Sequence, residues 1–260
     1  MTLGECIHGL EIPLCDICFP RRAPEPARAP TRPTRPRPAT RTTSTGTGST
    51  RGSSTRDASP RVAFDTFRVQ HVTPIENLGA ILADGAIRAD ATPAVDLSSD
   101  TTRELRRTTE LPGGGTAAAR VPFYLGSDAN RWLQLRAGAL GPTWSDAARA
   151  VRPAELVALV AALGPLGDVV LADGDAAATS TRFAAVGEDR ARAVAMLGRM
   201  SADPGRLDEG EALGPGSVPL DLVSLVVVAN EPIRDRVREA IADAGLRLRV
   251  AVNPPWFAVP

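Results

Sequence analysis

From Phe64 onward, short apolar runs alternate with longer segments in which apolar and polar residues are interleaved. "FRVQHV" reads as a strand, its neighbouring side chains taking opposite faces. "PIENLGAILADG" reads as a helix with Pro74 in its first turn and Gly85 as its C-cap. A short helix is expected around Thr101 to Arg107, followed by a break at Gly113–Gly114–Gly115. A strand over Val121 to Leu125 and a helix over Ser127 to Arg136 come next, then a helix in "PAELVALVAALG" and a buried strand in "DVVLADG". Glu188 to Met200 is helical in pattern. "LVSLVVVAN" is a strongly apolar β segment, "EPIRDRVREAIADAG" a capped amphipathic helix, and "LRLRVAV" a final strand. Strands and helices mix without regular βαβ alternation and without an internal repeat, which is the pattern of an α+β domain.

Within this pattern, "ARVPFYLGSDANRWLQLRAG" gathers Phe123, Tyr124 and Trp132 in a chain with few aromatics. A buried strand running into a helix accounts for it, and so does the wall of a site.

The first part of the chain breaks the pattern. Residues 21–62 are Pro, Arg, Thr, Ser and Gly with almost nothing apolar. Such a segment buries too little surface to offset its chain entropy and is expected to be a disordered linker. Every basic residue of the chain is arginine, and the formal charge is +0. The linker is a plain tether, or else one whose arginines are also drawn to phosphate backbones. The expected division is a small module at 1–20, the linker at 21–62 and a globular domain at 63–260. With 260 residues the chain has room for a substantial core. No apolar run approaches the roughly 20 residues that span a bilayer, and "MTLGECIHGLEIPLC" has no basic region followed by an apolar one. The expectation is a cytoplasmic protein with no membrane partner.

All three cysteines and one of the two histidines fall between positions 6 and 18. Cys6, His8, Cys15 and Cys18 offer the four soft or borderline ligands of a tetrahedral zinc site, two of them from a Cys-x-x-Cys knuckle. A module this small cannot fold on core burial alone, so a structural zinc would organise it.

Five pieces of the globular part occur in a telling order: "QHVTPIENLGAILADG", "TRELRRT", "RVPFYLGSD", "DVVLADGDAAATSTRF" and "EGEALGPGSVPLDLVSLVVVANE". Together they resemble the DarT-type DNA ADP-ribosyltransferase toxins over about residues 64 to 257, Val-Pro-Phe-Tyr being the most specific piece. The resemblance implies an ADP-ribosyltransferase-like fold, with a central split β-sheet flanked by helices. It implies NAD as substrate, single-stranded DNA as acceptor and a cognate antitoxin as partner. Position by position, His71 and Thr73 match the strand that holds the nicotinamide end, and Asn77 matches an Asn on the next helix. Phe123 and Tyr124 fall beside the NAD cleft. Arg106 matches the NAD-contacting arginine, with Arg103 and Arg107 as competitors in register. Glu211 takes the place of the catalytic acid, with Asp208, Glu209 and Asp221 as alternatives. The loop before the final Val-Pro is acidic and glycine-rich where the family is usually basic, and Ser180 stands where a His is frequent. Asp173 and Arg182 are read as braces of a turn.

These residue types fit the chemistry. ADP-ribosyl transfer passes through an oxocarbenium-like state, as glycoside hydrolysis does. A carboxylate near the ribose can bond its hydroxyl and help deprotonate a base, and a guanidinium can pair with the pyrophosphate. No convincing G-x-G-x-x-G is present, and NAD as a substrate does not require one. Other outcomes in keeping with the sequence are transfer onto RNA or protein, or an inactive binding module.

Overall fold

The computed structural model describes residues 62–259. The Cys6, His8, Cys15 and Cys18 cluster and the segment from Arg21 to Arg61 lie outside the described residues. The first half of the domain runs β1 (Arg68–Pro74), α1 (Ile75–Asp84), β2 (Ala86–Arg88), α2 (Asp100–Thr108), β3 (Val121–Tyr124), α3 (Asn130–Arg136) and α4 (Asp146–Ala150). The second half runs β4 (Leu156–Ala162), α5 (Leu163–Leu166), β5 (Val170–Ala172), β6 (Phe183–Ala185), α6 (Arg190–Ser201) and α7 (Pro204–Glu209). It ends with β7 (Glu211–Gly214), β8 (Ser217–Pro219), β9 (Val223–Val228), α8 (Glu231–Asp243) and β10 (Val250–Val252). Eight strands form one mixed sheet in the order β10-β9-β4-β1-β3-β7-β5-β6, and β2 with β8 forms a separate ribbon. Only β9 and β10 pair in parallel, joined by the crossover helix α8. The fold is α+β.

Local chemistry sets the helix ends. Gly85 takes φ 65° to close α1, a left-handed conformation that costs glycine nothing. Ser99, Asp189 and Asn230 cap α2, α6 and α8 by accepting from the backbone N–H of Thr102, Arg192 and Ile233. The helix expected from Ser127 begins at Asn130, after a turn in which Ala129 N–H donates to the Gly126 carbonyl.

One expectation is corrected. The apolar stretch in "PAELVALVAALG" is not a helix but β4, at the middle of the sheet, bonded to β1 on one edge and β9 on the other. Val157, Leu159 and Ala161 enter the core on one face, and Leu156, Ala158 and Val160 enter the core on the opposite face. An unbroken apolar run carries no period that separates a doubly buried strand from a helix. The helix preference of Ala and Leu, roughly a few tenths of a kcal/mol per residue, yields to burial on both faces.

The first core face packs Leu78, Leu82, Leu197, Val237 and Ile241 of α1, α6 and α8 against the sheet. The second centres on Trp132, Trp144 and Phe257, with Trp132 and Phe257 edge to face at 5.5 Å. There the buried Arg136 guanidinium donates to the carbonyls of Trp256 (3.0 Å) and Ala258 (3.2 Å), anchoring the segment after β10.

The expected split is not a break between two sheets, since all eight strands belong to one. β1 and β3 share a single register pair, Gln70↔Tyr124, whereas β1 and β4 pair along their whole length. The sheet is continuous, and its two halves share that one register pair.

Candidate active site

A cleft of about 820 Å³ opens along this seam, walled by β1, β3, α2 and the loop before α2. Glu211, the first residue of β7, lies beside Tyr124 of β3 and Ala172 of β5, and its side chain is 4% exposed. From α2, Arg106 Nη1 donates to Glu211 Oε2 at 3.0 Å. The Arg106 Nη2 is buried and has no hydrogen-bond partner among the described residues. Of the residues between 103 and 107 that competed in register, Arg106 is the one that reaches Glu211. Arg103 also lines the cleft but is tied to Asp96 at 2.5 Å, to Asp100 and to the Ser98 carbonyl. Arg107 lines it too and pairs with Glu104. Among Asp208, Glu209, Glu211 and Asp221, only Glu211 faces the cleft.

A second guanidinium completes the cluster. Arg131, in the first turn of α3, brings Nε to 4.0 Å from Glu211 Oε1, and its Nη1 donates to Asp175 Oδ2 at 2.5 Å. Its Cζ sits 4.6 Å over the Trp144 ring, the stacking that suits a planar guanidinium. Burial opposes its charge, but the Asp175 and Glu211 carboxylates hold its pKa above the ordinary arginine value. The Tyr124 phenol is pushed up, chiefly by burial and further by the Glu211 charge, so it keeps its proton. Sequence reasoning missed Arg131, Asp175 and Trp144. The usable signal was a lone charge between Ala129 and Trp132, both fully buried, at the start of a helix.

On the β1 side, His71 Nδ1 lies 3.0 Å from the Pro122 carbonyl and its ring meets Phe123 edge-on at 6.0 Å. Desolvation lowers its pKa, which keeps the ring neutral. A carbonyl only accepts, so Nδ1 carries the proton and Nε2 keeps a lone pair. Thr73 and Asn77 line the cleft as well, but their polar groups serve the protein. Asn77 Nδ2 donates to Thr73 Oγ1 (3.0 Å) and to the Val95 carbonyl (2.9 Å), while Val95 N–H donates to Asn77 Oδ1 at 2.9 Å. They thereby fix the loop that forms the far wall. Asp173 and Arg182 brace the β5–β6 turn through paired contacts, Arg182 N–H donating to Asp173 Oδ1 at 2.7 Å and Asp173 N–H to the Arg182 carbonyl at 3.1 Å. Ser180 is exposed on the same turn. Among the described residues no cluster of three or more His, Cys, Asp or Glu is arranged to hold a metal.

The fold matches solved structures of one kind. Thermus sp. 2.9 DarT in complex with ADP-ribosylated ssDNA superposes with a TM-score of 0.61 at 20% identity, covering 74% of this chain and 96% of that one. The same protein in complex with NAD+ gives a TM-score of 0.56 at 21% identity, covering 74% and 98%. Thermosipho africanus DarTG in complex with ADP-ribose gives 0.55 at 16%, covering 73% of this chain and 50% of that one. These likenesses show a shared fold. A family profile described as ssDNA thymidine ADP-ribosyltransferase, DarT, matches residues 70–258. The DNA ADP-ribosyl transferases of Mycobacterium tuberculosis and Mycobacterium bovis are each 29% identical over 217 residues, covering 73% of this chain and 88% of theirs. The chain belongs to the DarT family and is an NAD-dependent enzyme.

Proposed function

We propose that this enzyme transfers ADP-ribose from NAD to a thymidine base of single-stranded DNA, with Glu211 and Arg106 at the reacting ribose. The observation that carries the reading is the 3.0 Å contact between a buried carboxylate and a guanidinium in one cleft, made by residues 105 positions apart. The cleft fits the donor: about 820 Å³ is within the roughly 300–1,000 Å³ of small-molecule and cofactor sites. The unpartnered Arg106 Nη2 adds a buried donor in need of an acceptor, which a phosphate oxygen supplies. The neutral His71, with Nδ1–H committed to Pro122, offers Nε2 as an acceptor for an amide N–H at the nicotinamide end. Arg103 and Tyr124 frame the same cleft, while Thr73 and Asn77 hold its far wall.

When bound, NAD supplies a glycosidic bond whose cleavage releases nicotinamide and leaves cationic character on the ribose carbon. Glu211 then has two tasks: to accept a hydrogen bond from a ribose hydroxyl and to take the proton lost by the base. Arg131, braced by Asp175 and stacked on Trp144, keeps the carboxylate oriented. Thymidine is the expected acceptor because the family is described by it, and single-stranded DNA leaves the base edge accessible without unpairing.

The test is incubation of the full chain with NAD and oligonucleotides that differ in one base. The expected result is a mass increase of one ADP-ribose on thymidine-containing strands, abolished by Glu211→Gln. Transfer onto RNA or onto protein with none onto DNA overturns the acceptor; NAD turnover unchanged in Glu211→Gln overturns the site.

We further read the chain as the toxin of a toxin–antitoxin pair acting in the cytoplasm, on the strength of the family resemblance. Among the described residues no helix is long and apolar enough to cross a membrane. The division into a 1–20 module, a 21–62 linker and a 63–260 catalytic domain, and a structural zinc on Cys6, His8, Cys15 and Cys18, rest on the sequence pattern. Zinc quantification on the purified full chain, with one equivalent expected, tests the latter.

A further inference from the structure

The hydrogen bond that joins the two reacting side chains also occupies the atoms that each has to offer NAD. Arg106 commits Nη1 to Glu211 Oε2 at 3.0 Å, and its Nη2 is buried with no hydrogen-bond partner among the described residues. The strong grip of a guanidinium on a phosphate is bidentate, two parallel N–H donors meeting two oxygens. Where it stands, Arg106 offers such a group Nη2 but not Nη1. Glu211 is constrained in the same way, since its side chain is 4% exposed and its Oε2 faces Arg106. A phosphate and a carboxylate sharing one guanidinium are also like charges brought close together in a partly buried site, where their repulsion is strong.

The two guanidiniums beside Glu211 are not equally free to leave it. Arg131 is fixed from two sides, by Asp175 Oδ2 at 2.5 Å and by the Trp144 ring, whose centroid is 4.6 Å from its Cζ. Its Nε stands 4.0 Å from Glu211 Oε1, near enough to balance the carboxylate's charge without using Oε2. Arg106 has only the Glu211 contact among the described residues. Its neighbours Arg103 and Arg107 are tied to Asp96, Asp100 and Glu104, which leaves Arg106 as the α2 cation able to change partner. We infer that Glu211 exchanges counter-ions when NAD enters the cleft. Arg106 turns from the carboxylate to the pyrophosphate with both Nη groups, and Arg131 stays and keeps Glu211 paired. Oε2 is thereby uncovered for the ribose hydroxyl and the base proton. The Arg106–Glu211 pair is a latch that opens to a pyrophosphate, so binding of the donor and exposure of the carboxylate are one event. This deepens, and rests on, the placing of Glu211 and Arg106 at the reacting ribose.

The test is isothermal titration calorimetry on the full chain with ADP-ribose, which carries the pyrophosphate and has no nicotinamide to lose. Opening the latch uses part of the binding free energy. Glu211→Gln, which keeps the side-chain shape and removes its charge, is therefore expected to bind ADP-ribose at least about fivefold more tightly than the native protein. In an Arg106→Gln background the same change should bring no gain, because there is no latch to open. Asp84→Asn removes a negative charge from the lining of the cleft at a position away from Arg106, and should not match the gain. Equal or weaker binding by Glu211→Gln overturns the exchange. So does a gain that persists without Arg106 or that Asp84→Asn reproduces, since either makes it a plain loss of negative charge. Circular-dichroism melts confirm that the variants are folded. Should Glu211→Gln not fold, Glu211→Asp, one methylene short of the 3.0 Å contact, replaces it with the same expectation. The measurement needs no acceptor, so the two readings fail separately. No transfer onto any oligonucleotide, with the coupling to Arg106 intact, sinks the reaction assigned above but not the exchange. Efficient transfer with no coupling sinks the exchange alone.

Discussion

Glu211 is buried to 4% exposure between two guanidiniums, and its energetics follow from that. Breaking a buried ion pair by removing one partner leaves the other uncompensated, which costs about 3–5 kcal/mol. Arg106→Ala is therefore expected to lower unfolding free energy by about 3 kcal/mol, measured by denaturant titration. Arg106→Ala/Glu211→Ala should regain part of that loss, giving a coupling of about 0.5–3 kcal/mol in a double-mutant cycle. His71 carries a pH signature. Its folded pKa is depressed below the ordinary 6.5 by desolvation, so the unfolded chain binds the proton first as pH falls. Stability from the neutral ring is complete above about pH 6.5 and is lost as pH drops through that value toward the folded pKa. Melting temperature should fall between pH 7 and 5.5, and His71→Asn, which keeps a donor for the Pro122 carbonyl, should flatten that slope. His71, Thr73, Asn77, Arg106 and Glu211 could be picked out from the chain because each stands in a recognisable local pattern. Arg131 and Asp175 could not, since their meaning lies in a contact between residues 44 positions apart that no local pattern records.

Strands and loops place these groups, and two close contacts show how little slack they have. Gly210 has no room for a methyl group, because a Cβ would meet Leu125 Cδ1 at 2.7 Å. Gly210→Ala must therefore push back the ends of the Leu125 and Met200 side chains and crowd the Ala172 carbonyl at 3.1 Å, on the residue that pairs with Glu211. The variant's kcat/KM for transfer is expected to drop at least about tenfold, since a 1 Å misplacement can cost a hundredfold. A control substitution at Gly198, where nothing lies within 4 Å of an added Cβ, should leave transfer unchanged. At the end of the chain, Arg136 holds the segment after β10 by charge-assisted bonds to carbonyls. Arg136→Met is expected to cost about 2–4 kcal/mol and to open residues 254–259 to proteolysis. The longer helices and strands were legible from pattern and caps, but the short β2, β6, β7 and β8 and the short helices α4, α5 and α7 were not, and β4 read as a helix. Its apolar run has no period, and only its pairing with β1 and β9 makes it a strand.

Across the whole domain, the sheet's single-pair seam between β1 and β3 is what makes a cleft possible. Had those strands zipped fully from Gln70↔Tyr124, His71 would face Phe123 and Val72 would face Pro122 across a closed ladder. A chain lacking residues before 62 is expected to melt at the same temperature as the full chain, because the described core is complete within residues 62–259. Its oligonucleotide affinity should be weaker and less salt-dependent, because the arginines between Arg21 and Arg61 are gone. An unchanged salt slope would show that those arginines do not contact the strand.

What the chain wrote out directly was whatever depends on neighbours in sequence. That includes the compositional change near residue 62, the helix caps, the alternating strands, and the ordered motifs that carry His71, Arg106 and Glu211. Folding alone decided which guanidinium reaches Glu211, that a second one stacks on Trp144 behind it, and that β4 is a strand. The physical reason is the same in each case. Burial and charge pairing act between groups that are close in space, and a one-dimensional pattern records only those that are also close along the chain.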